Sequence, residues 1–239
     1  MVNDILNALS ARDTLDSSDI NLIQTLKTAT RRLGRHQELV RAGSWPKECF
    51  LMRSGISGYE KRMRDGSRQI TAIYYPGELL NLHSYVVKQV DHSVVALTPC
   101  EVVVIPHLEL ARLIEGSAHL ARAILLQLAL DSAIQRTAIA TMGRVPAAAR
   151  LGRFYCEAYL RLKLTGRADN LRLDLGLSQD QIADVLGLSS VHINRSLRKL
   201  REKKLISRER HVYTIHDWDR LVDECQFDAT YLSLIKQPR

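Results

Sequence analysis

The four cysteines, Cys49, Cys100, Cys156 and Cys225, lie far apart and form no C-x-x-C pair, so zinc-finger and ferredoxin-type spacings are missing. Long apolar runs are missing too. The most apolar stretch, residues 123–130, is too short to span a bilayer and is closed by Arg122 and Asp131. The opening stretch, MVNDILNALSARDTLD, has no basic segment followed by an apolar one, so no secretory leader is expected. These absences predict a cytoplasmic chain with reduced thiols and no membrane partner. Repeats and low-complexity tracts are also lacking. An apolar share of 46% then excludes disorder for most of the chain.

What is abundant is positive charge. The 239 residues have room for two domains and carry a formal net charge of +8. Most of that excess sits in residues 195–210. There Arg195, Arg198, Lys199, Arg201, Lys203, Lys204, Arg208 and Arg210 face only Glu202 and Glu209. A solvated helix face usually mixes signs, so a block this one-sided predicts a polyanionic partner.

The pattern along the chain predicts an α+β fold. Asp16-Ser17-Ser18-Asp19 starts a short helix with Ile20, Ile23 and Leu26 at helical spacing. From about residue 33 to 105, short strands are expected at 38–41, 49–54, 57–62, 69–74, 94–97 and 101–105. Turns such as Ser54-Gly55, Pro76-Gly77 and Thr98-Pro99 separate them, and Asp65-Gly66 is the best hairpin signal. This is the signature of an antiparallel barrel or sandwich. Helices follow over 108–114, 118–142 and 147–164, with Pro146 marking a hinge. The expected plan is an N-terminal helical segment (1–30), a β-roll sensor (31–117), a dimerisation helix (118–143) and a C-terminal winged helix-turn-helix (144–239). Between residues 120 and 130 the long helix is apolar on almost every side, so it must bury two faces. One can cover the barrel. The other predicts a homodimer, with Leu120, Ile124 and Leu128 at i+4 steps as the expected interface.

The decisive stretch is residues 177–206, LSQDQIADVLGLSSVHINRSLRKLREKKLI. Ser178 with Gln181 three residues on is a capping box. Ile182, Val185 and Leu186 form an apolar face, small Ala183 permits close approach, and Gly187 suits a left-handed helix end. Ser189 caps a second helix with core positions Ile193, Leu197 and Leu200. Two helices joined by a tight glycine turn, the second basic on its free face, predict a helix-turn-helix on double-stranded DNA. Base readout is expected from Ser190, Val191, Asn194 and Arg195. Phosphate contacts are expected from Gln179, Ser189, His192, Arg198, Lys199, Arg208, Arg210 and His211, the last three in the turn of a basic wing.

These motifs resemble the Crp/Fnr family, the regulators grouped with the cyclic-AMP receptor protein. The likeness spans roughly residues 31–215. It rests on Gly43, Gly55, Gly66 and Gly77, on Pro76-Gly77-Glu78, on Cys100-Glu101-Val102, on the long helix, and on the helix-turn-helix with Arg195. The resemblance implies a cyclic-nucleotide-binding-type β-roll, palindromic promoter sites and RNA polymerase as a partner. The chain departs from the family where the ligand would sit. Cyclic-AMP-binding members carry Gly-Glu and, later, Arg-Ser; the stretches here are Leu80-Asn81-Leu82-His83 and Val90-Asp91-His92-Ser93. No arginine lies between Gln69 and His107. Cyclic-nucleotide control is therefore not expected, because a buried phosphate needs a cation. No iron–sulfur cluster is expected either, since the first cysteine is Cys49. Haem is left open through His83, His92 and His107, and no cofactor is predicted. Val191 stands where the family usually has glutamate. Two other readings share the fold: an effector-binding sensor, and a cupin-like barrel enzyme. Neither an enzyme nor a metal site is expected, as His83 and His92 form no H-x-H pair and no nucleophile has a recognisable setting.

Overall fold

The computed structural model describes residues 1–238. Two helices, α1 (Val2–Ser10) and α2 (Ser17–Gln24), precede the first sheet. The α2 start is a full capping box: the Asp16 side chain accepts from the Asp19 backbone, and Asp19 reciprocates. α1 was not anticipated; Ile5, Ala8 and Leu9 bury its apolar face.

Eight strands form the roll: β1 (Ala29–Leu33), β2 (Glu38–Val40), β3 (Glu48–Ser54), β4 (Ser57–Arg62), β5 (Arg68–Tyr74), β6 (Leu79–Leu80), β7 (Ser93–Ala96) and β8 (Cys100–Pro106). They pair as two four-stranded sheets, β1-β8-β3-β6 and β2-β7-β4-β5. The β4–β5 hairpin turns at Asp65-Gly66 with Gly66 at φ 83°, a conformation glycine adopts without strain. The expected strands are all present, and β1 and β6 were missed. β1 reads Ala-Thr-Arg-Arg-Leu and exposes all but Leu33, so it carries no apolar alternation. It also opens inside the segment expected to be wholly helical.

Helix α3 (Ser84–Val87) lies between β6 and β7. After β8, α4 (His107–Gly116) leads into α5 (Ala118–Arg144), at 27 residues the longest helix described. Val145-Pro146 then breaks the chain in extended backbone before α6 (Ala147–Leu164). The C-terminal part comprises β9 (Arg172–Asp174), α7 (Gln179–Leu186), α8 (Ser190–Glu202), β10 (Ile206–Glu209), β11 (Val212–Ile215) and α9 (Trp218–Glu224). Its sheet is β10-β11-β9.

The expected dimer face needs correction. Leu120 and Ile124 are 0% and 4% exposed and Leu128 packs beside them, all within the chain's own core with Ile5, Leu9, Ile23, Leu51 and Val103. This is the face of α5 that covers the roll and the N-terminal helices. The outward face is a different stripe: Leu125, Ala129, Ser132, Arg136 and Ile139 are exposed and recur at steps of four and three. Leu125 and Ile139 stand 61% and 69% exposed. The helix does have two apolar sides, and the sequence period alone does not label which side meets the roll.

The core does not stop at the hinge. Ile56, Ile70, Ile73, Tyr75, Val95 and Leu97 of the roll belong to one buried cluster with Leu151, Tyr155 and Tyr159 of α6 and Ile182, Ile193 and Leu197 of the helix-turn-helix.

Candidate nucleic-acid interface and roll cavity

Local chemistry builds the helix-turn-helix as expected. The Ser178 side chain accepts from the Gln181 backbone, and the Gln181 side chain accepts from the Ser178 backbone. Gly187 ends α7 at φ 58°, ψ 44°. A side chain there would be strained, which is why glycine stands at the turn. Ser189 caps α8 by accepting from the His192 backbone. Ile182, Ala183, Ile193, Leu197 and Leu200 are buried between the two helices and α6. Val185 and Leu186, expected in the same face, are half-buried and turn toward the roll.

The free side of α8 presents Val191, His192, Asn194, Arg195, Arg198 and Lys199 to solvent. Val191 is 64% exposed, an apolar tip facing solvent. Arg195 makes no ion pair or hydrogen bond with any described residue. Arg198 pairs with Glu202 at 2.8 Å, one turn on. Two expected contact residues are occupied locally. Ser190 is half-buried with its hydroxyl on the Asp180 carboxylate, and His192 Nδ1 lies 2.9 Å from Ser189 Oγ. Gln179 is half-buried in the first turn of α7.

The wing is β10 and β11 joined by Arg210-His211, with Arg210 at φ 53°. Arg210 and His211 are exposed at its tip. Arg208 is held inward: its guanidinium sits 5.5 Å over the Tyr213 ring, and its Nε donates to the Arg210 carbonyl at 2.8 Å. It therefore shapes the turn that presents Arg210. β9, the third strand of this sheet, was not read from the sequence; its three residues are too few to show a period.

Sequence reasoning also missed the seam between this unit and the roll. Arg161 of α6 is buried and donates to Glu78 at 2.8 Å, to Glu157 at 2.8 Å and to the Ile73 carbonyl at 2.6 Å, while stacking 4.8 Å over Tyr75. Burial works to strip its proton, and the Glu78 and Glu157 carboxylates outweigh that, so its pKa rises. Arg35 Nη1 reaches the Leu97 carbonyl at 3.1 Å and Gln181 at 3.3 Å, and Arg68 pairs with Asp184 at 2.6 Å. Gln181 thus serves both the helix cap and the seam.

A cavity of about 570 Å³ runs from inside the roll along α5 to the hinge. At the roll end it is lined by Tyr59, His83, His92 and Asp131. Among the described residues, Lys61 is the one cation the roll contributes, and it pairs with Asp91 at 2.7 Å. His92 Nδ1 donates to the Asp91 carboxylate at 2.9 Å, since a carboxylate can only accept. Lys61 and His92 together hold the Asp91 carboxyl well below the usual range. Burial and the neighbouring His92 push His83 down to about 4. Burial pushes Asp131 up to about 7, although its carboxylate accepts from Tyr74 at 2.9 Å. His107, the third histidine considered for haem, is taken up by Ser84 at 3.0 Å.

Two family models match the chain. The cyclic nucleotide-binding domain matches residues 30–117 and the Crp-like helix-turn-helix domain matches residues 149–224. The anaerobic regulatory protein of Haemophilus influenzae is 24% identical over 224 residues, covering 93% of this chain and 86% of that protein. The nitrogen fixation regulation protein FixK of Azorhizobium caulinodans is 25% identical over 173 residues, 72% of this chain and 69% of its own. The solved structure of FixK2 from Bradyrhizobium japonicum superposes with a TM-score of 0.76 at 20% identity, covering 83% of this chain and 97% of that one.

Proposed function

Because the chain belongs to the Crp/Fnr family of transcription regulators, we propose that it reads a palindromic promoter site as a homodimer through the free face of α8. The observation that carries this reading is Arg195. It stands exposed and unpaired on α8 beside Asn194 and one turn from Val191, an arrangement suited to guanine, adenine and a thymine methyl in the major groove. Arg198, Lys199, Arg210 and His211 border that face and suit phosphates, with Ser189, the cap of α8, and Gln179, in the first turn of α7, fixing register. Ser190, tied to Asp180, and Arg208, tied to the wing turn, contribute by holding geometry. The dimer follows from the Leu125–Ile139 stripe of α5, whose four-and-three spacing suits a parallel pairing of the two long helices. RNA polymerase remains a partner by family likeness. The relatives are regulators, and the reading is of a regulator and not an enzyme; among the described residues no helix is long and apolar enough to cross a membrane.

The roll does not suit a cyclic nucleotide. Among the described residues, the one cation that the roll itself adds to the cavity, Lys61, is paired with Asp91, and the Asp91 carboxylate would repel a cyclic phosphate. Nor do His83 and His92 suit opposite axial positions on a haem. Their ring centres lie 5.0 Å apart, whereas trans ligands on one iron with the porphyrin between them stand more than about 6 Å apart. The four cysteines are all buried, and Cys156 and Cys225 are the pair that meet, fewer thiols than a four-cysteine cluster needs, which speaks against an iron–sulfur cluster.

The test separates readout from charge. Arg195→Ala should lower affinity for the specific site by roughly 1–3 kcal/mol and relax preference at one base pair per half-site. Arg210→Ala should weaken specific and non-specific DNA alike and reduce the salt slope by about one. Uniform loss of affinity in Arg195→Ala, with base preference intact, would make Arg195 a phosphate clamp and move readout to Val191 and Asn194.

A further inference from the structure

Two buried imidazole nitrogens in the roll have no partner. His92 is 7% exposed, and its Nε2 makes no hydrogen bond. His83 Nε2 is likewise buried and unpaired. Both rings line the same cavity, and their centres are 5.0 Å apart with planes tilted by 45°. An orphaned buried polar atom is costly, and two that face one cavity call for a shared ligand. Their surroundings differ from those of His119, the other histidine in an acidic setting. There Asp16, Asp19 and His119 cluster, but both His119 nitrogens are already bonded, at 2.5 Å to Asp19 and 3.1 Å to Asp13, so that group is a clip between α5 and the N-terminal helices.

We propose that His83 and His92 bind one first-row divalent transition-metal ion, of the zinc or cobalt class, through their Nε2 atoms. Three features support it. The first is spacing: an ion about 2.0–2.1 Å from each nitrogen, with a tetrahedral angle between them, sets the two ring centres about 5 Å apart. The second is the outer shell. Asp91 accepts a hydrogen bond from His92 Nδ1–H, which fixes that proton on Nδ1, leaves the Nε2 lone pair free for an ion and raises its basicity. Lys61 holds Asp91 in turn. The third is ligand type: imidazole nitrogens as the protein ligands favour zinc, cobalt, nickel or copper over magnesium and calcium. Two protein ligands leave coordination positions open to the cavity, which Leu128 and Asp131 of α5 also line, and water or a small molecule can complete the sphere there. The H-x-H spacing of barrel enzymes is absent, yet the fold supplies the pair by bringing together residues on either side of α3.

The experiment is a titration of the metal-free full-length protein with Co²⁺, read by its ligand-field absorption, and with Zn²⁺ in competition with a chromophoric chelator. One ion per chain should bind with a tetrahedral Co²⁺ spectrum. Asp91→Asn should weaken binding about 10–100-fold, the range for an outer-shell partner. His83→Gln and His92→Gln should each weaken it further, while His119→Gln leaves it unchanged. Thermal melting and DNA affinity of the metal-free variants report on folding separately. If His92→Gln fails to fold, half-buried His83 carries the test. No stoichiometric binding by the unmutated chain, retention in His83→Gln, or loss only in His119→Gln overturns the site. DNA binding itself is read independently, so failure here leaves the regulator reading standing.

Discussion

Asp131 is a carboxyl that the fold keeps close to protonation at neutral pH. It lies on α5 against the roll, where burial raises it to about 7 while Tyr74 donates to it and Arg161 and Arg12 partly compensate; Glu78 adds to the rise. A carboxyl raised in the folded state from its ordinary value of about 4 adds stability that is whole below pH 4 and is lost as pH climbs to about 7. Asp131→Asn keeps an acceptor for Tyr74 and removes the titration. The expected outcome is a variant whose urea midpoint falls less than the wild type's between pH 5 and pH 8. Parallel midpoints across that window would show that Asp131 is not titrating there. The same scale shows what could be read early. Gly187 and Ser178 were identifiable because their roles are local. His83 and His92 were noticed only as histidines, because the cavity that unites them is made by β4, β5, α5, α6 and the segments on either side of α3 together.

Helix α5 is the element on which sequence and structure part. Its two faces make opposite predictions. Leu125→Glu with Ile139→Glu places unpaired charge in the outward stripe, so light scattering should find monomers while the melting temperature of the monomer stays near its original value. Leu120→Ala instead opens a cavity under the N-terminal helices and should cost about 2–5 kcal/mol in urea unfolding without altering the association of folded chains. If Leu120→Ala dissociates the protein while the double glutamate variant does not, the stripe is misassigned. The helix span of about 118–142 and the break at Pro146 were legible, because apolar spacing and proline act within a few residues, while the Ser117 cap was not noticed. The identity of the roll-facing side was not, since a helix apolar all round carries no marker of its neighbour.

At the scale of the whole molecule, the roll and the winged helix share one core and a polar seam, so a signal in one is mechanically in touch with the other. Arg161 is the centre of that seam. Arg161→Met leaves Glu78 buried without its partner and should destabilise the chain by about 3–5 kcal/mol. Adding Glu78→Gln should recover part of the loss, the sign of direct coupling. Purely additive effects would mean that the two act separately. Sequence alone determined the α+β class, most of the strands and the helix-turn-helix, because caps, turn glycines and i to i+4 apolar spacing act between residues a few positions apart. The family likeness came from the same short motifs. Tertiary structure decided the rest: which face of α5 lies outward, that Arg161 crosses from α6 to Glu78, that edge strands β1 and β9 form without any apolar period, and that His83 and His92 meet. Each of these depends on a surface supplied by a distant part of the chain, and no local preference encodes which surface that will be.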